Sequence, residues 1–329
     1  MVACSRPRTS KDVLRALVLD LATEDAAVLV DTSTRLSQSL RLMADAPGPV
    51  ALEAARNTWK TALLAWQRAS CFQTLPLVRS NALLRATFFP VRAVEIERLA
   101  RSGDAENAES AAALGVDRKG MFALELVLFR GAGATAPALC ERADADGDHA
   151  RRFAAALGTN VAAHARAVTQ ELGDGKAFAE VYAQGGHENL NHLVSEMVGT
   201  IGSMSSGRLS KALSLEAVKP GQIKGDASGT ALDILVTLVR GVQRLYEGGP
   251  RGGLTELVHA ASASVDASLR MRLSAAGAAI EQAQRAQSLE RERAFAAARE
   301  ALRSLDRSLE SEFSSTLGVT LLFAGPDAD

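Results

Sequence analysis

Residues 289–317 read LERERAFAAAREALRSLDRSLESEFSSTL, and no other stretch says more about the fold. Leu302, Leu305, Leu309 and Phe313 recur at steps of three and four, which puts them on one side of a helix that turns about every 3.6 residues. The charges around Glu290 to Arg293 and Glu300 to Glu312 then form the solvated sides of that helix. Gly318 follows directly and is a natural helix stop, because glycine accepts the left-handed backbone that a C-terminal cap requires.

The same pattern repeats in both directions along the chain. A helix runs through Leu232, Leu235, Leu238, Val242 and Leu245, and a second is expected from about Leu254 to Ala286. Towards the N-terminus, Ser10 can cap a helix carrying Val13, Leu17, Leu21, Val28, Leu36, Leu40 and Met43, which Pro47-Gly48-Pro49 ends. Leu52, Trp59, Leu63 and Trp66 mark the next. A shorter helix follows Phe88-Phe89-Pro90, and residues 102–118 read as a loop. An Ala-rich helix is expected from about Asp148 to Leu172, and another from about Glu188 to Met204. Residues 205–229 hold Gly207, Pro220, Gly221, Gly225 and Gly229 with few large apolar side chains, which suits a connection between units. The expectation is an all-α fold of two tandem up-and-down bundles: a polar tether over 1–11, a bundle over 12–206, a connection over 207–229 and a second bundle over 230–329.

Composition narrows the function. Lys and Arg total 37 against 38 Asp and Glu, so the chain has no sequence-wide positive field for nucleic acid. No apolar run approaches the roughly 20 residues of a spanning helix. Val2-Ala3-Cys4 has the form of the end of a bacterial lipobox, which makes Cys4 a candidate lipidation site; its signal is not within this sequence. Membrane attachment is therefore expected only through a lipid anchor. Cys71 and Cys140 remain as an even pair that an oxidising compartment could join, or as two buried thiols.

Two constellations carry candidate chemistry. Met121 to Phe129 is almost wholly apolar except for Glu125, and a carboxylate placed there is costly unless it is paired, coordinated or protonated. It is either an anion or metal ligand or a core Glu satisfied by an Arg or a helix N–H. The second is His187-Glu188-Asn189-Leu190-Asn191-His192 with Glu196 beyond. Its two imidazoles lie about 140° apart on a helix, which excludes the zinc-protease H-E-x-x-H arrangement. Glu188, His192 and Glu196 fall at i, i+4 and i+8 and could supply metal ligands from one stripe, or form a solvated polar face. His164 and His259 stand alone as surface or satisfied core residues, and the Trp59/Trp66 pair reads as core packing.

Several stretches in order resemble the imelysin-like family of bacterial envelope proteins, whose first member was described as a metallopeptidase. They are Trp59-x6-Trp66 with Phe72, Pro76 and Phe89-Pro90; Gly120 to Phe129; Arg208-Leu209; Ser228-Gly229 to Tyr246-Glu247-Gly248; and Leu317-Gly318-Val319 to Phe323 with Asp327-Ala328-Asp329. The resemblance implies two helical bundles, export to the periplasm or attachment to the envelope, and a role connected with iron uptake. It implies a ligand at the junction of the bundles, iron or another divalent metal or an iron-associated envelope partner. It also implies a G-x-H-x-x-E signature, matched here by Gly120, Phe122 and Glu125. Phe122 stands where the family has His, and a phenyl ring can neither coordinate a metal nor act as a base, which argues against peptidase activity. A metallopeptidase and a structural adaptor of the envelope are the alternative readings.

Overall fold

The computed structural model describes residues 8–73, 81–130, 138–214, 222–287 and 289–322. Cys4, Pro76, Phe323 and the terminal Asp327-Ala328-Asp329 lie outside the described residues. Within them the chain is helical, with no β-strand, and no helix is long and apolar enough to cross a membrane.

The first helix begins one residue away from the expected cap. Thr9 caps α1 (Ser10–Leu17): its hydroxyl accepts from the Asp12 N–H at 3.3 Å while the Asp12 carboxylate accepts from the Thr9 N–H at 2.9 Å. A π-helical turn, Val18–Ala22, joins α1 to α2 (Thr23–Asp45) without breaking the axis. Ala46-Pro47-Gly48 reverses the chain, and Pro49 starts α3 (Pro49–Ser70) at a position where its missing N–H costs nothing. Short helices follow: α4 (Ala82–Thr87), α5 (Ala93–Ser102), α6 (Ala108–Ala113) and α7 (Met121–Phe129). The α6 segment lies inside the expected loop 102–118, where Asn107 caps a run of small residues. The long α8 (Ala145–Leu172) packs along α2, which itself packs against α3. Its small residues allow the close approach: a Cβ on Gly158 would meet a Leu40 methyl at 2.5 Å.

Next come α9 (Gly175–Gln184), which the apolar spacing did not reveal, and α10 (Gly186–Ser205). The C-terminal part holds α11 (Ala231–Glu247), α12 (Leu254–Ala261), α13 (Ala263–Arg285) and α14 (Leu289–Ser308), then a π turn at Leu309–Phe313 and α15 (Ser314–Leu317). The expected helix over 254–286 is therefore two, divided at Ser262, whose extended backbone and hydroxyl cap α13.

Packing runs across residues 207–229. Helix α10 lies against α14, α11 lies against α3, and the buried apolar residues from both sides form one continuous cluster. Two features tie α3 to α11. A Cβ on Gly241 would collide with Cys71 Sγ, so glycine permits this approach. Beside it, the buried Asp25 of α2 accepts from Arg68 of α3 at 3.0 Å and from Arg244 of α11 at 2.5 Å. Burial raises the Asp25 carboxyl above its ordinary value, and Arg244 and Arg68 pull it back. Cys71 and Cys140 are both free and buried, and burial pushes each thiol up to about 12.

Candidate functional site

Helix α7 owes its position to its two ends. At the start, Gly120 adopts φ 84°, a left-handed conformation, and a Cβ there would meet the Ala86 carbonyl oxygen at 2.5 Å. Trp59 Nε1 donates to the Met121 carbonyl at 2.9 Å, and at the far end the Arg56 guanidinium donates to the Leu128 carbonyl. Every residue from Met121 to Leu128 is buried, so this helix has no solvent face on which to place an acid.

Glu125 is only 3% exposed. Its Oε1 accepts from the Ser228 N–H at 3.0 Å and from the Ser228 hydroxyl at 2.7 Å, across 103 residues of sequence. Ser228 sits in a tight turn between Gly225 (φ 79°) and Gly229 (φ 72°), and its hydroxyl also lies 2.8 Å from that of Thr230, just before α11. Burial pushes the Glu125 carboxyl up to about 6. The Ser228 bonds and the Gly225 backbone oppose the rise, and the nearby Asp226 charge adds to it. The hydrogen bonds that hold this carboxylate thus come from a serine and a glycine-rich turn, where an Arg or a helix N–H was one expectation. The same turn walls a cavity of about 490 Å³, lined by Ile223, Asp226, Leu232, Arg291 and Phe295 among others. A larger cavity of about 750 Å³ opens beside Arg56, Arg142 and Arg151 at the other end of α7, where each guanidinium already pairs with an acid or a carbonyl.

Phe122 is 1% exposed. It meets Phe89 edge-on at 5.3 Å between ring centroids, and Lys224 Nζ stands 5.7 Å from its own ring centre. Of the three signature positions, Gly120 makes the turn, Phe122 packs, and Glu125 alone brings a titratable group.

The second constellation does not close as a three-member stripe. His187 and Glu188 are exposed at the start of α10, whereas His192 and Glu196 turn inwards and are half-buried. Among the described residues no three His, Cys, Asp or Glu side chains come together to hold a metal ion, so Glu188, His192 and Glu196 are not such a set, and neither is any group around Glu125. Burial raises the Glu196 carboxyl, with His192 acting against it.

The isolated histidines differ from one another. His164 Nε2 is buried with no partner, and burial together with Lys119 and Arg85 lowers its imidazole to about 4. His259 lies beside a site that the sequence did not announce: the buried Asp266 of α13. That carboxylate accepts from Tyr246 at 2.7 Å, Thr255 at 2.6 Å and Arg270 at 3.0 Å, with His259 Nδ1 at 3.1 Å. Trp59 and Trp66 are fully buried core residues.

Fold and site together define an all-α scaffold with one buried carboxylate clasped by a glycine-rich turn between its N- and C-terminal helices. The chain belongs to the imelysin family, whose model matches residues 22–314. Iron-regulated protein A of Synechococcus elongatus is 26% identical over 311 residues, covering 90% of this chain and 76% of that protein. The crystal structure of an imelysin-like protein from Psychrobacter arcticum superposes with a TM-score of 0.75 at 19% identity, covering 97% of this chain and 98% of that one. A solved structure from Parabacteroides distasonis gives 0.73 at 13% identity, over 96% and 97%. At these identities the two structures speak for the fold alone.

Proposed function

We propose that this imelysin-family chain is a periplasm-facing binding protein of the cell envelope, linked to iron or metal uptake, whose ligand sits where its two helical bundles meet. The name of the Synechococcus relative, iron-regulated protein A, supports the iron connection. One observation carries the reading. Glu125 is buried in an apolar helix with its pKa raised, bonded to a turn whose other face borders a cavity. A cation at that place would offset the cost of burying the charge and draw the proton off the carboxyl. Catalysis is not part of the reading, since Phe122 supplies no ligand or base to the signature.

Calorimetric titration with ferric and manganous salts tests it on the wild type beside Glu125→Gln. The amide keeps an oxygen for Ser228 and removes only the charge. Affinity should drop by about tenfold or more, equivalent to roughly 1.4 kcal/mol. Equal binding by the two proteins would remove Glu125 from the site and reject the reading.

A further inference from the structure

The cavity of about 750 Å³ at the far end of α7 shares no lining residue with the one beside the Glu125 turn. Its size is that of a small-molecule site, since such sites run from about 300 to 1,000 Å³. Met43, Pro47, Pro49, Leu52 and Cys140 form its apolar side. That side is stiff. Pro47 and Pro49 fix their own φ angles at the α2–α3 corner, and Met43, Leu52 and Cys140 are buried in the packing around it. The apolar wall is therefore set before any ligand arrives.

Six charged side chains line the rest: Arg56, Arg142 and Arg151 against Glu53, Glu141 and Asp148. Arg151, buried on α8, is the brace. Its Nη1 donates to the Cys140 carbonyl at 3.1 Å and to the Arg142 carbonyl at 2.8 Å, and its Nη2 pairs with Asp148. This holds the turn that presents Glu141 and Arg142. Arg56 is held from α3, with Nε and Nη2 on the Leu128 carbonyl and Nη2 on Glu141 at 2.6 Å. Arg142 turns its Nε and Nη2 to Asp144. The Nη1 groups of Arg56 and Arg142 bond to no described residue. Glu53, exposed on α3, has neither ion pair nor hydrogen bond among the described residues. It stands three residues before Arg56 and so shares its helix face. Unused guanidinium donors and an unused carboxylate thus flank one apolar wall, with three charges of each sign around it.

We propose that this cavity binds a small zwitterion with an apolar body, either a free apolar amino acid or a short apolar peptide. The ligand's carboxylate lies against Nη1 of Arg56 and Arg142, its ammonium against Glu53, and its apolar side chains against Met43, Pro47, Pro49 and Leu52. The balance of charge selects this class. A polyvalent anion would meet three carboxylates and a lone cation three guanidinium groups, whereas a ligand carrying both signs finds an unused partner for each. Recognition is non-covalent, and no bond is made or broken. In the sequence these charges look like ordinary solvated helix faces and a polar loop, and only folding brings the α2–α3 corner to the turn before α8.

The test is calorimetric titration of the whole chain with leucine and with leucyl-leucine, and the tighter of the two identifies the source. One equivalent should bind. The N-acetylated form of that ligand lacks the ammonium and its amide lacks the carboxylate, so each should bind about fivefold more weakly. Glu53→Gln should weaken the free ligand by about fivefold and leave the acetylated form unchanged. Arg142→Gln should weaken the free ligand by a similar factor and leave the amide unchanged. Glu53 is exposed and unpaired, so the unfolding midpoint of Glu53→Gln should match the wild type. Absence of binding by both ligands overturns the proposal. So does equal binding of the free and acetylated forms, which would make the ligand a plain carboxylate, and so does a loss in Glu53→Gln that the acetylated form shares.

Discussion

Asp266 and Glu125 are both carboxylates withdrawn from water, yet the protein treats them in opposite ways. Burial would raise Asp266, but Thr255, Arg270, Tyr246 and His259 all turn towards it, and together they hold it at about 2. Burial raises Glu125 too, and the turn that holds it brings a hydroxyl and backbone N–H groups where Asp266 has a guanidinium, so it stays at about 6. The first is a finished structural knot with one charge answered by several donors. The second is left under-compensated, and under-compensation in an enclosed place is what a binding site requires.

The contrast predicts effects of different size. Asp266→Ala should cost about 3–5 kcal/mol in denaturant unfolding, because it strands Arg270, Thr255 and the Tyr246 hydroxyl around an empty place. A loss below roughly 1 kcal/mol would mean the knot is far less cooperative than its geometry.

The pH dependence of stability separates the pair by sign. Asp266 is lowered by folding, so its contribution is present above the unfolded value near 4 and is lost as pH falls towards 2. Glu125 is raised, so its folded form binds a proton more tightly than the unfolded chain does. Stability should rise by about 2 kcal/mol as pH falls from 7 to below 4.5, through the window between its folded and unfolded values. Urea midpoints across pH 4–7 should show that slope in the wild type and lose it in Glu125→Gln. An identical slope in both proteins would assign the effect to other groups.

Ser228→Ala should cost about 1 kcal/mol and move the Glu125 transition further upward, measurable from the same pH series, since the hydroxyl bond at 2.7 Å favours the charged form. Phe122→His keeps a flat ring beside Phe89 but buries an imidazole, which should cost about 1–3 kcal/mol where nothing pairs with it. Its readout is binding: affinity for a divalent metal should rise by about tenfold or more once an imidazole stands one turn from Glu125.

How much of this was legible in the sequence follows from where each signal lies. Helices such as α3 and α14 announce themselves through apolar side chains three and four apart, and Glu125 was conspicuous as the one acid in an apolar run. Its partner Ser228, more than a hundred residues away in a glycine-rich turn, had no local signature that named the contact. Asp266 was invisible for the opposite reason. It occupies an ordinary polar-looking place near the start of α13, and only folding brings Tyr246 and Thr255 to it. The π turns at Val18–Ala22 and Leu309–Phe313 leave the apolar spacing nearly intact, so they too pass unread. Helix α9 is short, and its buried Ala179, Tyr182 and Ala183 make a weak stripe.

The seam between α3 and α11 has a practical corollary. Cys71 is wedged against Gly241 with its thiol pushed up to about 12, so in the intact protein it offers oxidants and alkylating reagents almost no thiolate. Any labelling at that sulfur therefore times the moments when the two helices part, which turns an inert side chain into a clock for the separation of the N- and C-terminal helices.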